Sequence, residues 1–190
     1  MFNIYEIVRG LRGAVQIAKF DRSANQYFEN TSDAFWSSFQ AAIIALPAYA
    51  ALQLLAFYNS PSDIDTGRIV LIEISTYVIG WVFFPLIMVS LTEFLGRFDK
   101  YFQFIVAWNW AIVLQLCLYL LTVLLAISGN VPNNLIPLLS LFVITAILIY
   151  QGFIVILILD VSAQTASIIV LIDFVFALFL SYLARGLEAG

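Results

Sequence analysis

The sequence predicts an all-α integral membrane protein, a bundle of five transmembrane helices preceded by an amphipathic, interfacial N-terminal helix. Three observations carry this prediction. Of 190 residues, 63% are hydrophobic and 11% charged, against about half and about a quarter in soluble domains. The apolar residues gather into five runs, each long enough to cross a hydrocarbon core of about 30 Å. The last two runs form a hairpin, residues 135–183, joined by the short polar turn Asp160-Val-Ser-Ala-Gln-Thr-Ala166.

Residues 1–34 come before the first run and are expected on the cytoplasmic side. Ile4, Ile7, Val8, Leu11, Val15 and Ala18 recur at helical spacing, with Arg9, Arg12, Gln16 and Lys19 on the other side. Two placements fit this pattern. The helix can lie in the headgroup plane, with Arg9, Arg12, Lys19 and, past the Phe20-Asp21 break, Arg22 as membrane-surface basic residues. Alternatively it packs on protein and caps the bundle. Arg9 and Arg12 stand where the apolar core of a signal peptide would lie, so the first span is expected to direct insertion itself.

The first span is expected at 35–58. Ser37, Ala41, Ala45 and Ala48 make a small-residue stripe, a candidate packing face, because small side chains let helix backbones approach closely in lipid. Pro47 is a candidate kink within it. A polar, turn-rich loop over 59–67 leads to the second span, 68–91, which carries Glu73, Gly80 and a second candidate kink, Pro85. After a charged link at 92–100 the third span is expected at 101–127, with Asn109 between Trp108 and Trp110, and Gln115 further on. An uncharged turn precedes the fourth span, 135–159, which holds Gln151 and tolerates Pro137 in its first turn. The fifth span, 167–183, is short, and 184–190 is a small external tail.

Counting Lys and Arg by side sets the orientation. Arg9, Arg12, Lys19, Arg22, Arg97 and Lys100 fall on one side of a five-span chain, and Arg68 and Arg185 on the other. This bias predicts a cytoplasmic N-terminus and an outside C-terminus.

Asp173 is the sharpest chemical feature, since an ionisable group within a span is costly and faces the bundle interior. Asp173, Ala177, Ser181 and Arg185 form one stripe at i+4 steps, about ten residues from the turn and so near mid-bilayer. Two readings stand side by side: a proton or cation site, or an interhelical hydrogen bond to Asn109, Gln115 or Gln151. Glu73 shares a face with Thr76, Tyr77 and Gly80, and either joins Asp173 in a polar path or pairs with nearby Arg68. Asn109 admits a ligand pocket or an interhelical hydrogen bond shielded by aromatic rings.

The chain has no histidine and no HExxH, CxxC, GxSxG or P-loop pattern, so no catalytic residue, metal or cofactor is expected. A net charge of -4 argues against a nucleic-acid partner.

This arrangement resembles the YIP family of membrane proteins, and more specifically its short bacterial members. The resemblance rests on the stretch Leu11-Arg-Gly-Ala-Val-Gln-Ile-Ala-Lys-Phe-Asp21, on a span opening Phe35-Trp-Ser-Ser-Phe39, and on a hairpin with an acid in its last helix. It implies a multi-pass protein of the bacterial inner membrane. Eukaryotic members bind small GTPases through a longer N-terminus with an Asp-Leu-Tyr-Gly-Pro motif. Nothing here matches that motif, so small-GTPase binding is not carried over.

Two functions are expected. The first is a non-enzymatic interaction protein, a scaffold, accessory or assembly subunit, or membrane organiser, whose partners are the lipid bilayer and another membrane protein or a second copy of itself. The alternative is a small proton- or cation-coupled transporter or channel component that uses Asp173.

Overall fold

The computed structural model describes residues 4–59 and 65–189, and among these it is all-helical, with no strand. Met1 to Asn3, most of the expected loop at 59–67, and Gly190 lie outside the described residues. Seven α-helices follow in order: α1 (Ile4–Ala18), α2 (Ser32–Ser38), α3 (Gln40–Asn59), α4 (Thr66–Phe94), α5 (Tyr101–Ile127), α6 (Ile136–Leu159) and α7 (Ala163–Ala189). Five segments are long and apolar enough to cross a membrane, α2 and α3 together counting as the first.

Local chemistry explains most of the boundaries. Thr31 Oγ1 accepts from the Ala34 N–H at 3.1 Å and starts α2. Asp65 caps α4 through the Arg68 N–H, and Ser162 Oγ caps α7 through the Thr165 N–H at 3.2 Å. That last cap explains why α7 runs 27 residues and does not keep to 167–183. The polar residues after Ser162 form its first helical turn, and the expected tail continues the helix to Ala189. α4 ends in a Schellman motif, with Gly96 at positive φ and the Arg97 N–H bonded to the Thr92 carbonyl at 2.8 Å. The same motif closes α1, but there Phe20 takes the left-handed conformation (φ 58°).

The first span is interrupted at Phe39, between α2 and α3, whereas α3 and α4 each run on as one helix through Pro47 and Pro85. The small-residue stripe lies inside: Ala41 and Ala45 are fully buried, with Ser37 and Ala48 half-buried beside them. α3 packs chiefly on α5.

α5 is the central helix, touching α1, α2, α3, α6 and, at its N-terminal end, α4. There Phe84 stacks on Trp108 at 4.3 Å and the Tyr101 hydroxyl donates to the Pro85 carbonyl. α7 bridges α6 and α4. Hydrogen bonds from Tyr49 to Glu73, and from Tyr77 to the Ala42 carbonyl, tie α4 back to α3 and close the ring.

One end of this ring is capped. α1 lies across α5 and α6 through the buried Gly10, Ala14 and Ile17, while Gly13 is buried against Tyr27 and Phe28. A side-chain methyl at Gly10 would collide with the Trp110 indole, so the close approach requires glycine. Tyr150 donates to the Ala14 carbonyl at 3.0 Å. A 3-10 turn over Arg22–Tyr27 follows, and the Gln103 amide donates to the Phe28 carbonyl at 2.9 Å. Arg97 donates to the Asp160 carbonyl at 2.9 Å, and Lys100 reaches its carboxylate. The outward face of α1 still carries Ile4, Val8 and Val15 beside Arg12 and Lys19. Of the two expected placements, the packing of α1 on the bundle is observed, and its outward face stays amphipathic.

Candidate functional site

Where α3, α4, α5, α6 and α7 meet they leave a cavity of about 360 Å³. Asp173, Ala177 and Ser181 of the expected α7 stripe line it, as do Thr76, Tyr77 and Gly80 of the α4 face that also carries Glu73. The i+4 spacing on α7 and the i+3/i+4 spacing on α4 place each set along one line, and α4 packs on α7 with these lines facing.

Three of the expected polar residues come together at this cavity. Gln151, on α6 and almost fully buried, uses one amide nitrogen, Nε2, to reach both Asp173 Oδ2 at 3.2 Å and Gln115 Oε1 at 3.3 Å. The acid on α7 is thus tied to α6 and, through the same amide, to α5. Gln115 Nε2 is buried and has no hydrogen-bond partner among the described residues. No ion pair to Asp173 occurs among the described residues. A buried donor without a partner and a carboxylate without a counter-charge are both costly in a low-dielectric interior. Both residues line the cavity.

The other expected residues lie elsewhere. Asn109 is 1% exposed and donates to Ser38 Oγ at 2.8 Å, a hydrogen bond between α5 and α2 in the capped half. Trp108 shields it, stacked against Phe84. Glu73 accepts from the Tyr49 hydroxyl at 2.5 Å, while Arg68, the neighbour expected to pair with it, donates to the Leu187 carbonyl at 2.8 Å. Arg9 is paired with Glu29 and also donates to the Gln26 carbonyl. Arg12 is exposed on the surface of α1, beside Arg9 and Tyr27 in a shallow groove.

Two participants went unnoticed in the sequence. Glu188 follows Arg185 by three residues on α7 and lies beside both Glu73 and Arg185 near the uncapped end. An i+3 step past Arg185 reaches it, whereas the i+4 stripe continues to Ala189. Tyr49, which joins Glu73 to the cavity wall, gave no signal, because a tyrosine in an apolar run looks like any other lipid-compatible aromatic.

The arrangement can hold a positive charge, or a proton, at Asp173. A second acidic group, Glu73 with Glu188, stands further along the same α4–α7 seam. Compared with family models, with curated proteins and with solved structures, the chain matches none of them.

Proposed function

We propose that this chain is a non-enzymatic, multi-pass protein of the bacterial inner membrane that binds and moves a cation or proton through its bundle, as a small transporter or a channel component. The carrying observation is Asp173, without an ion-pair partner among the described residues, on a cavity lined by all five span-length segments. The Glu73–Glu188 pair supports this reading, because it places acids at two depths along one seam. The basic residues gathered at the capped end support a cytoplasmic N-terminus, with the uncapped end outside.

The test is flux in oriented liposomes. Wild-type protein gives a pH-dependent flux and Asp173→Asn abolishes it, while thermal stability is nearly unchanged because Gln151 still has an oxygen to donate to. An Asp173→Asn protein with full flux, or a wild type that moves no proton or cation, rejects the reading.

A scaffold or accessory role, in keeping with the YIP resemblance, is the second reading. The small-residue stripe does not favour it, since Ala41 and Ala45 are already buried within the chain. A different feature does. Exposed Trp36 and Phe98 continue outward from the ring contacts of Phe35 and Tyr101 at the capped end, and Phe94 is exposed nearby in sequence. Such a ridge fits a membrane-protein partner, a second copy, or the bilayer interface. Co-purification of a stoichiometric partner that is lost on Trp36→Ala would favour it.

A further inference from the structure

We infer that the central cavity binds a small organic ammonium ion carrying a hydrogen-bond acceptor close to its nitrogen. The inference rests on the proposed role of Asp173 as a cation site and names the chemical class that site takes. The walls decide the class. Tyr49 and Tyr77 pack with ring centroids 4.6 Å apart, and Tyr77 and Trp81 with centroids 6.1 Å apart, so one aromatic surface lines the α3–α4 side. The hydroxyls of these two tyrosines are already committed, to Glu73 and to the Ala42 carbonyl. What they offer the cavity is ring, not oxygen.

A bare divalent ion is poorly served by such walls. Calcium collects about six to eight oxygens and magnesium demands a near-octahedral set, whereas Gln115 Oε1 here already accepts from Gln151. The oxygens left on the lining are the Asp173 carboxylate and a few hydroxyls. An alkylammonium group needs no such shell. It is held by a carboxylate on one side and aromatic faces on the other, the arrangement that recognises quaternary ammonium ligands generally. Among the described residues no lysine or arginine lines the cavity to oppose it.

Gln115 narrows the class further. Gln115 lines the cavity, and its buried Nε2 has no hydrogen-bond partner among the described residues. Its Oε1 and the Asp173 carboxylate are both held to Gln151 Nε2, at 3.3 and 3.2 Å, so donor and acid belong to one small cluster. A ligand whose hydroxyl or ether oxygen lies two or three bonds from its ammonium nitrogen satisfies both. The volume, about 360 Å³, is at the small end of the range for small-molecule sites.

The experiment is equilibrium binding of choline to the whole chain in nanodiscs, with 3,3-dimethyl-1-butanol as the neutral isostere. Choline binds the wild type and the isostere does not. Asp173→Asn lowers choline affinity at least tenfold. Tyr77→Phe, which keeps the ring, binds as wild type, and Tyr77→Leu loses roughly tenfold. No choline binding by a folded wild type, equal binding of the isostere, or unchanged affinity in Asp173→Asn each overturns the inference. The flux measurement separates it from the reading beneath it. Asp173-dependent proton or metal-ion flux without choline binding removes the ammonium inference and keeps the transport reading. Choline binding without any flux does the reverse.

Discussion

The two halves of α5 live in different surroundings. From Phe104 to Ala111 every side chain is buried, Trp108, Asn109 and Trp110 among them; from Cys117 onward most are exposed. The first half is wrapped by α1, α2, the 3-10 turn and the end of α4. The second half faces the cavity on one side and the outer surface on the other. In a bilayer the exposed half loses little, because lipid chains are as apolar as leucine and no hydrophobic force presses helices together. Protein therefore holds one half of α5, and the other half is left open to its surroundings. The cavity lies along the loosely packed half.

The largest expected effect tests this division directly. Gly10→Leu forces α1 off the Trp110 indole and costs about 2–3 kcal/mol by overpacking, read as a fall in the thermal midpoint in mild detergent. The matched change in the open half has the opposite sign. An added methyl at Gly80 meets nothing within 4 Å, so Gly80→Ala stabilises α4 by up to about 1 kcal/mol through helix propensity. If both substitutions shift the midpoint the same way, the two halves are not packed differently.

A smaller effect is expected at the buried amide. Asn109→Ala leaves Ser38 without its partner from α5 and costs about 1–3 kcal/mol in the same assay, and choline affinity, read at the cavity, stays as in the wild type. The smallest lies at the rim. Arg97 is half exposed where it meets Asp160. Arg97→Ala costs at most about 1 kcal/mol, and less in high salt. Stability measured at two salt concentrations checks it.

How much of this was legible depended on which residues make the contacts. Long apolar runs announced the span-length helices, and the expected third span coincides with α5, because turns rich in charge or glycine bound it on both sides. The tie between Asp173 and Gln151 was among the expected pairings, since a polar group in an apolar helix has few partners to find. α1 was harder. Its large apolar residues Ile4, Val8 and Val15 point away from the bundle, and its buried face is Gly10, Gly13, Ala14 and Ile17. A periodicity weighted by side-chain size misses a face built for close approach. The break at Phe39 was equally silent, with no glycine or proline to mark it, while Pro47 and Pro85, the expected kinks, sit inside helices assigned without interruption. Glu188 was hidden by reading the chain end as a tail and not as the last turns of α7.

The hydrogen bond from Tyr150 to the Ala14 carbonyl has a consequence for how the molecule is made. Its two partners are 136 residues apart. At a synthesis rate of about 5–20 residues per second, Tyr150 emerges roughly 7–30 s after Ala14. α1 is therefore made before the surface that α5 and α6 offer it exists. It reaches its final position only once α6 has been made.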